Sequence, residues 1–240
     1  MNKQGLIIFD LDGTLIDSME IHAAVFAQIL SERFGIAEEI SRRAYYRMSG
    51  NPLGYQFERA IQEESFQSPA GMNEIVEDFY ARIRLHEPVV FADVAPALRQ
   101  LWQAGYGLVV CSGNAPDIVE KRLDQTGIKG YFTAWLGTDP AQGLKKGEPH
   151  FEILRQRLAL GLEDFQHNAM SVGDAQHDIL VAKAAGILSV GRLNLFNAVS
   201  LQEAQPDYLI ADLSELVQLL KDPAGTEGEF NEIARLNTRK

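Results

Sequence analysis

Two carboxylates stand two positions apart in Asp10-Leu11-Asp12-Gly13-Thr14, directly after the apolar run Gly5 to Phe9. Like charges held that close are costly unless a cation or a shared proton compensates them, so something positive belongs in the same cavity. The plain alternative is an acidic turn in which Gly13 supplies a positive φ. A second acidic pair, Asp174 and Asp178, follows the apolar run Ala169 to Val172. Mg²⁺ takes a few oxygens from protein and fills its shell with water and phosphate, and Asp10 and Asp174 can supply two. Alone, this pair also suits a helix start, where acids cap and complement the dipole.

Between the acidic pairs come Ser112, at the end of the run Gly107 to Cys111, and Lys146 in Leu144-Lys145-Lys146-Gly147-Glu148-Pro149. A hydroxyl at a strand end can donate to a phosphoryl oxygen, and an ammonium can offset charge on a nucleophile and a transferring group. Taken singly, such a serine is usually a cap and a lysine pair usually a solvated surface.

These residues need elements that deliver them to one place. The runs Gly5 to Phe9, Gly107 to Cys111, Phe132 to Leu136 and Ala169 to Val172 read as buried strands, with Leu188 to Val190 and Tyr208 to Ile210 adding two more. Helical patterns lie between them, such as Ala95 to Ala104, stopped by Gly105, and Asp117 to Thr126, stopped by Gly127. Asn114 is the expected N-cap of the second, with Pro116 in its first turn. Alternating strand and helix argues for an α/β fold, a Rossmann-like parallel sheet with helices on both faces and ligands beyond the carboxyl ends of the strands. Each polar cluster falls at such an end.

From Asp17 to about Pro88 that rhythm stops. Helical segments are expected at Ile21 to Phe34, Ile40 to Met48, Gly54 to Glu64 and Asn73 to Leu85, with turns at Gly50-Asn51-Pro52 and Ser68-Pro69-Ala70-Gly71. The expected organisation is a core from residues 1–16 and 90–225, an inserted helical domain over 17–89 and a polar tail over 226–240.

The order of acidic pair, hydroxyl, lysine and acidic pair, each at a strand end, resembles the four-motif pattern of haloacid dehalogenase-like hydrolases over Leu6 to Gly191. The resemblance implies a Mg²⁺-dependent phosphatase acting through an aspartyl phosphate on Asp10. It makes Asp12 the general acid/base, with its backbone carbonyl on the metal, and Ser112 the phosphate-binding hydroxyl, with Thr14, Gly113 and Asn114 beside the substrate. Lys146 becomes the charge-stabilising lysine and Asp174 a metal ligand, and Asp178 stands at the metal as a further ligand or orients a water or Lys146. Gly147 stands where many relatives have proline, and the choice of Lys146 over Lys145 rests on its spacing to Pro149.

An insertion after the first motif resembles a helical cap of the C1 type, closing over the site and excluding water. Gly50-Asn51 and Glu58-Arg59-Ala60 resemble a loop and helix of phosphoglycolate phosphatases. Arg59 could meet a substrate carboxylate or pair with a nearby acid, and His22 could touch substrate or pack. The substrate implied is a small phosphate ester, phosphoglycolate-like or a sugar phosphate. A β-phosphoglucomutase-like phosphotransferase is the alternative, and a non-catalytic interaction protein on the same fold a more remote one. A phosphonate-cleaving relative would need a cap lysine, absent from Met19 to Val90, and a dehalogenase would lack Asp12.

Bulk composition sets outer limits. With 46% apolar and 23% charged residues among 240, the chain can bury a stable core. A net charge of −11 without clustered Lys and Arg argues against nucleic acid or an anionic membrane as partner. The single cysteine, Cys111, reads as an inert buried thiol and suits a reducing, cytoplasmic setting. His150 and His177 read as loop residues.

Overall fold

The computed structural model describes residues 5–49, 51–67, 69–139, 144, 146–194 and 197–221. Gly50, Ser68, Lys145 and the tail lie outside the described residues. The chain divides into two compact units, Asp17–Val89 and the combination of Met1–Ile16 with Val90–Lys240. In the first of these, four helices, α1 (Met19–Phe34), α2 (Glu38–Arg47), α3 (Leu53–Glu63) and α4 (Met72–Ile83), surround their own apolar core. Its centre is aromatic: Phe26 stacks on Phe57 with ring centroids 4.3 Å apart, and Phe79 meets Phe57 edge-on.

Among the described residues the larger unit is built on six parallel strands, β1 (Leu6–Phe9), β2 (Gly107–Cys111), β3 (Ala134–Leu136), β4 (Ala169–Gly173), β5 (Leu188–Arg192) and β6 (Tyr208–Ile210), in the order β3-β2-β1-β4-β5-β6. Helices α5 (Val94–Gln103), α6 (Pro116–Gln125), α7 (Glu148–Arg157), α8 (Leu162–Asn168), α9 (Gln176–Ala185), α10 (Ala198–Ala204) and α11 (Leu213–Lys221) complete it. Because side chains alternate along a strand, Ile7 and Phe9 enter one apolar cluster with residues of α5, α6 and α11. Leu6 and Ile8 enter another with Phe151 of α7, Phe165 of α8 and Ala182 of α9. Strand β1 is therefore buried on both faces and reads as an unbroken apolar run.

Register decides which loops meet. Phe9 is level with Val110 of β2 and Val172 of β4, so Asp10, Ser112 and Asp174 emerge together at one edge of the sheet. Helices α5 and α6 stop before Gly105 (φ +92°) and Gly127 (φ +70°), as the glycine positions predict. Strand β3 is shorter than expected. Lys129–Tyr131 form a 3₁₀ turn, and Phe132 places its ring 6.3 Å from that of Phe9 instead of joining the ladder.

Candidate active site

Asp10 follows β1, and its backbone N–H donates to Val172 O of β4 at 2.9 Å, so the ladder fixes where its side chain starts. Asp174 follows β4 in the same way, and Asp178 lies one turn into α9. All three are buried, and one oxygen of each lies within 4.8 Å of the others. Two glycines make that crowding possible. A Cβ on Gly13 (φ +78°) would meet Oδ2 of Asp174 at 2.3 Å, and one on Gly173 would meet Oδ2 of Asp178 at 2.3 Å. Glycine is required at both positions by close approach.

Lys146 Nζ lies 2.5 Å from Oδ1 of Asp10 and 2.6 Å from Oδ1 of Asp178, while the other oxygen of Asp178 accepts from Ala175 N at 3.1 Å. One ammonium thus faces three buried acids. Burial drives the Asp10 carboxyl up to about 7, with Lys146 pulling it down and Asp178 pushing it up again. Burial also raises Asp174 well above the ordinary aspartate range, and Asp10 and Asp178 add to the effect. For Lys146 burial acts against the charge, but Asp10 and Asp178 outweigh it and hold the ammonium protonated. A divalent cation among these oxygens would relieve the remaining repulsion, and oxygen donors of this kind suit Mg²⁺.

Asp174 is fixed from several sides. Thr14 Oγ1 donates to its Oδ1 and Asn194 Nδ2 to its Oδ2, each at 3.3 Å, and Asn197 Nδ2 donates to its backbone carbonyl at 2.7 Å. Asn194 and Asn197 escaped the sequence reading, although they follow β5 and so obey the strand-end rule that found the others. Buried Arg192, at the end of β5, donates to Thr14 O at 2.9 Å and pairs with Asp93 at 2.8 Å. A single interior arginine carries no local signal of that kind.

Asp12 turns elsewhere. Its two oxygens accept from Nη1 of Arg122 at 2.5 and 2.7 Å, and Oδ2 also accepts from Asn114 Nδ2 at 2.5 Å. The same amide nitrogen donates to Ser112 Oγ at 3.0 Å, and Asn114 N donates to that oxygen at 3.2 Å. With its lone pairs taken, the Ser112 hydroxyl is left to donate its proton. Asn114 is therefore not the N-cap of α6. Ala115 holds that place without a side-chain bond, because the asparagine amide is engaged by Asp12 and Ser112. Gly113, between them, presents exposed backbone.

His150 and His177 are not in loops, since they fall in α7 and α9. His177 is exposed and borders the small cleft that Asp10 and Lys146 also line. His150 is fully buried and its Nε2–H donates to Gly137 O at 3.0 Å, leaving Nδ1 without a partner among the described residues. Burial lowers its pKa to about 4. Cys111 is buried, and burial pushes its thiol well above the usual range, so it is no nucleophile.

The remaining candidates belong to the helical unit. His22 packs edge-on against Phe79 and Tyr45, at 5.7 and 6.5 Å between ring centroids. Arg59 lies half-exposed on α3 with Nη2 3.7 Å from Glu63, one turn on. No helix among the described residues is long and apolar enough to cross a membrane.

A sequence profile for the family described as haloacid dehalogenase-like hydrolase matches residues 7–191. A phosphoglycolate phosphatase from Vibrio parahaemolyticus is 28% identical over 224 residues, covering 90% of this chain and 95% of its own. One from Aquifex aeolicus is 31% identical over 219 residues, covering 90% and 96%. The solved structure of a haloacid dehalogenase-like family hydrolase from Streptococcus pneumoniae superimposes with a TM-score of 0.73 at 21% identity, over 92% of this chain and 100% of that one. At that identity the likeness speaks for the fold.

Proposed function

This chain belongs to the haloacid dehalogenase-like hydrolase family, and we propose that it is a Mg²⁺-dependent phosphatase of a small phosphorylated metabolite, phosphoglycolate-like or a sugar phosphate. The observation that carries this reading is the division of labour between Asp10 and Asp12. Two acids two positions apart sit in different surroundings, one among Lys146, Asp174 and Asp178, the other between Arg122 and Asn114. Environments that separate paired carboxylates also separate their roles.

Asp10, Asp174 and the backbone carbonyl of Asp12 would hold Mg²⁺, with Asp178 beside them orienting Lys146. When bound, the ion neutralises phosphoryl oxygens and fixes them in line for attack. An oxygen of Asp10 attacks phosphorus as the bond to the leaving oxygen breaks, giving an aspartyl phosphate, and Asp12 protonates that leaving oxygen. A water then attacks phosphorus, gives its proton to Asp12, and the bond to Asp10 breaks. Ser112 Oγ–H and the exposed backbone at Gly113 donate to phosphoryl oxygens, and Lys146 offsets the charge that gathers on Asp10 and the phosphoryl group. Division among so many groups is needed, since monoester hydrolysis can demand acceleration on the order of 10²¹-fold. A cytoplasmic setting accords with the buried, unpaired Cys111.

Purified protein incubated with phosphoglycolate, sugar phosphates and an aryl phosphate, with and without Mg²⁺, tests the reading. Phosphate release that requires Mg²⁺ and labels Asp10 covalently is the expected result. Interconversion of sugar phosphate isomers without release would favour the phosphotransferase, and inertness towards every ester would leave the fold as an interaction module.

A further inference from the structure

We propose that Arg122 is a positioning residue for proton transfer, aiming the carboxylate of Asp12 at the leaving oxygen. The inference rests on the phosphatase reading above and extends it to a residue that no motif marks.

Arg122 stands on α6, where Val119 and Leu123 are fully buried and anchor the helix to the core. An arginine on such a helix is ordinarily solvated. Here its side chain is only 13% exposed and reaches an acid 110 positions earlier in the chain. Nη1 spans both oxygens of Asp12, at 2.5 and 2.7 Å, and the amide of Asn114 holds Oδ2 from a second direction. The terminal torsion of an aspartate is intrinsically broad, so a carboxylate without such partners swings between orientations. Two donors from different elements fix its plane. Proton transfer needs the acid within hydrogen-bond reach of the leaving oxygen, and small misplacements there cost large factors in rate. Asn114 also touches Ser112 Oγ, so the orientation of Asp12 is tied to the hydroxyl that would donate to a phosphoryl oxygen.

Arg122 therefore acts through Asp12, and its loss should be felt in proportion to the need for an acid. With phosphoglycolate the departing alkoxide requires a proton; with 2,4-dinitrophenyl phosphate the departing phenolate does not. Single-turnover experiments, with enzyme in excess and saturating Mg²⁺, read the first bond-breaking step alone. Arg122→Met is expected to slow release of glycolate by about 10²-fold, the size of a general-acid contribution, while release of dinitrophenolate keeps its wild-type rate. In steady state kcat for phosphoglycolate falls while KM holds, and Arg122→Lys recovers a large part of the loss. An equal slowing of both esters, or a raised KM with kcat intact, overturns the proposal, the second outcome making Arg122 a substrate contact. A lowered melting temperature with wild-type rates would leave a structural ion pair only and overturns it as well. Should Arg122→Met not fold, Arg122→Gln and Arg122→Lys are read by the same ratio of the two esters. Failure of the wild-type protein to release either leaving group counts against the phosphatase reading and is distinct from a wild-type enzyme whose Arg122 variants show an unchanged ratio.

Discussion

Lys146 Nζ lies 2.5 Å from Oδ1 of Asp10 across 136 positions of sequence, and this ion pair, beside the one Lys146 makes with Asp178, sets the charge balance of the acidic cluster. Removing either partner has opposite effects on stability and the same effect on turnover. Asp10→Asn should abolish phosphate release, by on the order of 10⁴-fold or more, while melting at or above the wild-type temperature because one buried like charge is gone. Lys146→Met should lower kcat comparably and also lower the melting temperature, since three acids are left without their ammonium. Phosphate assays and calorimetry on both variants check the pair; near-normal turnover in Asp10→Asn would remove Asp10 from the nucleophile's place.

A divalent ion that satisfies these acids should stabilise the fold whether or not substrate is present. Mg²⁺ at about one hundred times its dissociation constant adds roughly 2.7 kcal/mol, or several degrees in melting temperature. Asp174→Asn is expected to lose most of that increment, and chelation should abolish activity reversibly. Calorimetry across a Mg²⁺ titration decides, and an equal shift in the variant would place the ion elsewhere.

Gly13 has φ +78° and no room for a Cβ beside Asp174. Gly13→Ala should cost about 2 kcal/mol or more, from backbone strain and displacement of that carboxylate, and should weaken Mg²⁺ binding with it. Denaturant unfolding with and without Mg²⁺ measures both. A variant of wild-type stability and metal response would show that the loop yields at no cost.

His150 resists protonation in the folded protein, its pKa held near 4 by burial. As pH falls below the ordinary histidine value of about 6.5, the unfolded chain binds a proton that the folded chain refuses until about pH 4. Stability is therefore lost on acidification across that window, on the order of 3 kcal/mol from this group. His150→Gln should flatten the slope of stability against pH between 6.5 and 4 even where it lowers the total. Urea unfolding at several pH values reads the slope, and an unchanged slope would locate the acid sensitivity in the carboxylates.

Much of the larger unit was legible before any coordinates. Each apolar run that reads as a strand is short, in the central strands buried almost without interruption, and ends at a polar turn, so hydrophobicity alone locates β1, β2, β4, β5 and β6 within a residue or two. The exception is instructive: Phe132 is apolar enough to extend β3, but its ring is used in the core against Phe9, and an aromatic side chain can serve either purpose in a sequence pattern. The histidines show the same ambiguity from the polar side. His150 is buried on α7 with its Nε2–H on the carbonyl of Gly137, just past β3, a partner that no local pattern announces.

The available chemistry and where it would surface were legible residue by residue: acids, hydroxyl and ammonium at the ends of buried strands, because apolar runs must stop where polar chain begins. How those groups divide among themselves was set by packing. Asn114 looks like a helix cap and serves instead as a bridge between Ser112 and Asp12, while Arg122 looks like a solvated helical arginine and holds Asp12. The physical reason is that apolar burial follows local periodicity, whereas a charge takes its partner from whatever the packed strands and helices bring within about 3 Å, and that depends on register across the whole sheet.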